Sequence, residues 1–296
     1  MSTPGQDQTA GRPAAAQATT AQPRSAQSTT TQSTAWEPDR YLRFAGQRAR
    51  PYADLLAQIG AEAPGRVADL GCGPGNTTEL LSDRWPDAHV LGVDSSAEMV
   101  AAAAGRTRPG RLEFTRADLR AWHAPSPVDV LISNATLQWV PGHLDLLPRL
   151  LAQVAPGGWF AFGVPGNFGA PSHTLLADLQ RAPHWRDRFT GAQYRPASHE
   201  PAEYLRALTD AAADADVWET TYYYVVDGED GVFDFVSSTA LRPVLVELGG
   251  ADSADAKAFT AEYAAALCEA YPPTEYAGRV VQILPYRRLF AVARVA

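Results

Sequence analysis

Between Arg66 and Val164 the sequence alternates short β-forming runs with helix-forming stretches, and few folds accept that rhythm. Arg66–Leu70, His89–Asp94, Leu112–Asp118, Val128–Asn134 and Gly158–Val164 read as strands. Residues 77–84, 97–105 and 144–154 read as helices. The run Ala101–Ala104 has the strongest helix propensity of these, and Gly105 is a natural stop. Strands joined through helices do not pair as hairpins. They assemble as a parallel sheet with helices on both faces. In such a sheet the carboxyl ends of the strands form the edge where ligands bind.

The rhythm changes after Val164. Residues 165–216 read as loop and helix, with Pro165-Gly166 at the start. Asp216–Val226 is a strong strand rich in Val, Thr and Tyr, in which Tyr222 and Tyr224 share a face. Residues 229–270 read as helical, broken at Gly249-Gly250, and Arg287–Val295 is a final alternating strand. The expected total is seven strands, the last two connected by a helical insert.

Composition narrows the function classes. The net charge of −8 argues against a general nucleic-acid binder, which usually carries a basic surface. The two cysteines, Cys72 and Cys268, form neither a disulfide framework nor a metal-ligand spacing, and the six histidines are scattered, so no metal site is expected. No apolar run is long enough for a membrane helix, and the N-terminus has no basic segment followed by an apolar core. A cytoplasmic protein with no nucleic-acid, membrane or obligate protein partner is the expectation. Residues 1–35 are mostly Ala, Gln, Ser, Thr and Pro, with Met1 the only large apolar side chain. Such a stretch buries too little to offset the entropy of ordering, so a disordered tail precedes a folded domain over 36–296.

The chemistry concentrates where the first strand ends, in Asp69-Leu70-Gly71-Cys72-Gly73-Pro74-Gly75-Asn76. Glycines in a strand-to-helix turn let a ligand approach backbone N–H donors closely, although tight turns of this kind also occur with no ligand. A dinucleotide-binding turn wants a sixth-position glycine, and Asn76 stands there. An acid two residues before Gly-x-Gly-x-Gly fits a methyltransferase turn instead, and Asp69 occupies that place. Asp94, Asp118 and Asn134 end the second, third and fourth strands. Singly, Asp94 could cap a helix and Asp118 could serve a turn. Four such residues on successive strands are a much rarer coincidence.

This block resembles the class I methyltransferases that use S-adenosylmethionine. The resemblance implies a Rossmann-like seven-stranded sheet, last strand antiparallel, with helical cap inserts. It implies S-adenosylmethionine as cofactor, held by Asp69, Gly71, Gly73, Gly75, Asp94, Ser95, Met99, Asp118, Leu119 and Asn134. Asp94 would accept the ribose hydroxyls and Asp118 the adenine amino group.

Further segments carry a closer resemblance. They are Trp36-x-Pro-x-x-Tyr41-Leu42-x-Phe44 with Arg48-x-Arg50-Pro51-x-x-Asp54-Leu55-Leu56, Asn134-Ala135-x-Leu137-Gln138-Trp139-Val140-Pro141-x-His143, and Pro165-Gly166-Asn167-Phe168 with Pro171-Ser172-His173. Asp216–Tyr222, Leu241-Arg242-Pro243, Tyr271-Pro272-Pro273 and Arg287-Arg288-Leu289-Phe290 complete the set. Together they resemble the trans-aconitate 2-methyltransferase family over residues 36–296. That family makes a monomethyl ester of a tricarboxylate. The resemblance implies an acceptor pocket drawn from Trp36, Tyr41, Arg50, Gln138, Trp139, Asn167, His173, Arg242, Arg287 and Arg288, with lid segments near 36–51, 165–216 and 228–286. The chemistry is consistent with this. A carboxylate with an ordinary pKa near 4 is already ionised at neutral pH, so no catalytic base is required. Arginine forks suit the spectator carboxylates, although Lys257 is the only lysine beside 24 arginines, so any one arginine could simply be a surface cation. Trp139 could equally be a core tryptophan, and His173 a helix cap. Two readings stay open for the acceptor: the tricarboxylate, or another small acid or phenol.

Overall fold

The computed structural model describes residues 45–189, 197–211, 213–237 and 240–296. The expected tail, 1–35, and the start of the first lid segment, including Trp36 and Tyr41, lie outside the described residues.

Helix α1 (Ala45–Ala57) precedes the first strand, β1 (Arg66–Leu70). Then follow α2 (Thr78–Arg84), β2 (His89–Asp94), α3 (Ala97–Ala103), β3 (Leu112–Arg116) and β4 (Val128–Asn134). Next come α4 (His143–Leu151) and β5 (Val154–Pro165). The first insert contributes α5 (Pro171–Arg181) and α6 (Pro201–Asp210), ahead of β6 (Ala213–Asp227). The second contributes α7 (Gly231–Ser237), α8 (Arg242–Glu247) and α9 (Ala254–Ala270). A short β7 (Thr274–Tyr276) leads into β8 (Arg279–Val295).

The strands join in one sheet in the order β3-β2-β1-β4-β5-β8-β6, with β7 on β8. The first five strands are parallel, and β8 runs antiparallel to β5, β6 and β7. The sheet therefore has eight strands among the described residues, where seven were expected. The extra strand is half of a hairpin closed by the two-residue turn Ala277-Gly278, both at positive φ, which matches strand twist. Pairing also lengthens the expected final strand from 287–295 to 279–295, because β6 and β8 stay in register from Ala213↔Val295 to Asp227↔Val281. The expected 144–154 helix stops at Leu151, and Val154 opens β5 against Val128. The third strand ends at Arg116, leaving Asp118 in the following loop.

Two apolar layers cover the sheet. One packs α1, α2 and α7–α9 around Tyr52, Leu55, Leu81, Phe259, Tyr263 and Phe290. The other packs α4 and α6 around Leu147, Leu150, Phe160, Phe162 and Tyr204. Each such fully buried side chain contributes roughly 1.5–3 kcal/mol of transfer free energy. This packing fixes the carboxyl ends of β1, β2 and β4, on which the site is built.

Candidate active site

The glycine turn is shaped by contacts on both sides. Gly71 has φ +77 and donates its N–H to Val93 O at 2.7 Å, tying β1 to β2. A Cβ there would sit on the Thr136 side chain, so both space and φ demand glycine. Gly73, at φ +54, differs: no atom lies within 4 Å of the place a Cβ would take. Its N–H donates to Asp94 Oδ2 at 2.9 Å, and Ser96 N–H donates to Asp94 Oδ1 at 2.9 Å. Asp94 thus holds the turn and the entry to α3 together. The helix cap itself is Ser96, whose Oγ accepts Met99 N–H at 3.2 Å. Each Asp94 oxygen keeps a further lone pair for ribose hydroxyls. Asp118 accepts the forked guanidinium of Arg120, which holds its pKa below the usual carboxylate range. An adenine amino group would share that carboxylate.

Asp69 lies beneath the turn, buried, with Thr78 Oγ1 donating to its Oδ2 at 2.7 Å. Burial pushes its pKa up to about 7, against the opposing pull of the Thr78 hydroxyl, and Asp94 adds to the rise. An open backbone turn, two carboxylates with lone pairs to spare at Asp94 and Asp118, and the buried carboxyl of Asp69 together fit S-adenosylmethionine.

The raised pKa has a measurable consequence. The folded protein without ligand holds the Asp69 proton to a higher pH than an unfolded chain does. Its contribution to stability is full below about pH 4 and is lost as pH rises towards 7. A ligand ammonium group beside Asp69 would favour the ionised form. Binding S-adenosylhomocysteine at pH 6.5 should therefore release on the order of half a proton. Calorimetry in buffers of different ionisation enthalpy measures this. Asp69→Asn should abolish the release, and equal release in both proteins would place the titrating group elsewhere.

Residues expected to meet the acceptor gather where β4 ends beside the middle of β8. β4 ends at Asn134, and Ala135 follows at φ 54, unusual for a non-glycine residue. That turn leads into the short 3-10 helix Leu137–Trp139, where Gln138 is buried and Trp139 exposed. Arg288 of β8 is 5% exposed, and its Nη2 donates to Asn134 Oδ1 at 2.7 Å. Its Nε has no partner, and no carboxylate pairs with the guanidinium among the described residues. Nearby, Tyr222 donates its hydroxyl to Asp54 Oδ2 at 2.7 Å, and burial followed by that bond raises the phenol pKa. Arg50 sits 5.3 Å over the Tyr222 ring and 3.9 Å from Asp54, largely in solvent. Arg50, Tyr222, Arg288 and Asn134 are thus brought together.

Other expected residues lie apart or are engaged. Arg287 neighbours Arg288 in sequence but faces the opposite side of the sheet, as strand alternation requires. There it pairs with Glu200 and Glu219, which raise its pKa. Arg242 opens α8 and is half-buried. Asn167 is buried beyond β5, and neither atom of its amide has a partner. His173 is in α5, its Nδ1 3.1 Å from Ser172 Oγ and its ring against Phe168, and burial lowers its pKa to about 4. Leu119 is buried in the layer that holds Trp122. Sequence reasoning missed Thr78, Asp54 and Tyr52. The last is a fully buried phenol on α1 whose hydroxyl has no partner. Helical periodicity places Tyr52, Leu55, Leu56 and Ile59 on one face, and that signal was available.

Comparison with known proteins bears on the fold and the family. The methyltransferase domain family matches residues 67–158, from β1 to the middle of β5. Among solved structures, the YcgJ protein from Bacillus subtilis aligns at a TM-score of 0.54 with 14% identity, covering 84% of this chain and 99% of that one. A Bacillus halodurans putative methyltransferase aligns at 0.52 with 11% identity, covering 82% and 97%. At those identities the likeness is one of fold. Fold, turn and acids define a class I S-adenosylmethionine-dependent methyltransferase. The relatives narrow it further. A trans-aconitate 2-methyltransferase from Streptomyces avermitilis is 52% identical over 266 residues, covering 88% of this chain and 96% of the relative. One from Streptomyces coelicolor is 50% identical, covering 88% and 86%. The chain belongs to the trans-aconitate 2-methyltransferase family. Among the described residues, no helix is long and apolar enough to cross a membrane.

Proposed function

We propose that this protein transfers a methyl group from S-adenosylmethionine to one carboxylate of trans-aconitate, giving the monomethyl ester and S-adenosylhomocysteine. The observation that carries the reading is the buried, carboxylate-free Arg288 beside Asn134. Burying a cation without a counter-ion costs several kcal/mol. A fold retains such a group where an anion arrives to pair with it. A second anionic group would meet Arg50, exposed and loosely held at 3.9 Å from Asp54.

S-adenosylmethionine supplies an electrophilic methyl on a sulfonium. The chain's own task is orientation. A carboxylate is nucleophilic at neutral pH, so the residues need to hold one oxygen in line and neutralise the others. Asn134, with its carbonyl oxygen taken by Arg288, presents its NH2 group for a further bond. Catalysis is assigned to residues 36–296, with the inserts carrying α5–α6 and α7–α9 as parts of the lid and the 1–35 tail outside it. A cytoplasmic location belongs to the same proposal.

Calorimetry on the S-adenosylhomocysteine complex tests the acceptor class. Trans-aconitate should bind, and rising salt should weaken it, because charge pairing supplies the affinity. Binding of an uncharged phenol with no binding of the acid would favour the other reading of the pocket.

A further inference from the structure

The phenol of Tyr52 lies outside the set of groups that would meet the nucleoside or the acceptor. Its side chain is fully buried on α1, within the apolar layer that includes Val67 of β1 and Leu81 of α2. Its hydroxyl is sealed from solvent and has no hydrogen-bond partner among the described residues. A phenylalanine would fill the same layer without the cost of an unpaired buried hydroxyl. The hydroxyl lies within electrostatic reach of two groups of the glycine turn, Asp69 and Cys72, which add to the rise in its pKa that burial causes. Asp69 has one oxygen committed to Thr78. A buried carboxylate and an unsatisfied phenol beside a backbone turn share one natural complement, a cation with several N–H donors.

We propose that Tyr52 is a cofactor-binding residue whose hydroxyl accepts a hydrogen bond from the ammonium group of S-adenosylmethionine, next to Asp69. The chemistry recognised is the amino-acid end of the ligand, not its nucleoside. The two outer turns of the site would then divide the ligand: β2 and the loop after β3 take the nucleoside, while β1 and α1 take the ammonium. The inference is independent of which acceptor the protein uses.

Tyr52→Phe separates this role from a structural one, because the two predict different signs. Without ligand, the variant should melt at the same temperature as the parent or higher, since an unpaired hydroxyl is removed. Its Kd for S-adenosylhomocysteine, measured by calorimetry, should rise roughly ten-fold. Its Kd for 5′-methylthioadenosine, which lacks the amino-acid end, should change by less than about two-fold, since no bond to the hydroxyl is lost. Unchanged affinity for S-adenosylhomocysteine would overturn the proposal and leave a buried water as the partner of the hydroxyl. Equal weakening of both ligands, or a lowered melting temperature, would also overturn it by showing that the phenol only supports the packing of α1.

Discussion

Replacing Arg288 by Met is expected to lower kcat/KM for trans-aconitate by about 2–4 kcal/mol, or roughly thirty- to a thousand-fold, while the protein becomes no less stable. The two effects have one cause. In the ligand-free protein the guanidinium is buried and, among the described residues, is bonded to the neutral Asn134 amide alone and carries an unpartnered Nε. An apolar side chain of similar length removes that burden. In the acceptor complex the same guanidinium becomes the counter-ion of a carboxylate, and its loss strands a charge. Cofactor affinity should hardly move. Steady-state kinetics with each substrate varied, together with a melting curve, checks all three quantities. A variant with reduced stability and an unaltered KM for the acid would make Arg288 a structural residue. Arg287→Ala is the internal control. Its side chain is held by Glu200 and Glu219 on the other face of β8, so its loss should affect stability rather than acceptor affinity.

The second large effect is expected at Asp94. Asp94→Ala removes the proposed acceptor for ribose and also releases Gly73 N–H and Ser96 N–H, both bonded to the carboxylate at 2.9 Å. Loss of charged hydrogen-bond partners costs about 1.5–3 kcal/mol each, so S-adenosylhomocysteine affinity should fall at least ten-fold. Asp94→Asn keeps an acceptor for only part of this set and should lie between. Calorimetry on folded protein decides the matter, and unchanged affinity in Asp94→Ala would remove Asp94 from the cofactor site.

The parts of this molecule that could be read from the sequence are those governed by local physics. Period and propensity located β1–β5: β1, β2, β4 and β5 are rich in apolar residues and each is followed by a helix, and β3 leads through a loop into β4. The glycine turn was readable because Gly71, Gly73 and Gly75 all take positive φ, a local demand, whereas the crowding of Gly71 by the distant Thr136 side chain was not. What escaped depends on register or on pairs far apart in the chain. Asp54 and Tyr222 are separated by 168 positions, and only the docking of α1 against β6 and β8 brings them together. The choice between Arg287 and Arg288 turns on which face of β8 points towards Asn134, and that follows from the pairing of β8 with β5. The β7 hairpin was hidden because three residues ending at Tyr276 carry almost no periodic signal. Asp118, expected to end the third strand, lies in the loop after Arg116, where its side chain accepts Arg120 N–H in a turn.

The most direct measurement is methyl transfer itself. Purified protein is incubated with methyl-labelled S-adenosylmethionine and, in parallel, trans-aconitate, cis-aconitate, isocitrate, citrate and a simple phenol. A base-labile, volatile methyl label is expected from trans-aconitate, present as a single methyl ester and dependent on Arg288. A base-stable product formed from the phenol, with none of the acids methylated, would contradict it.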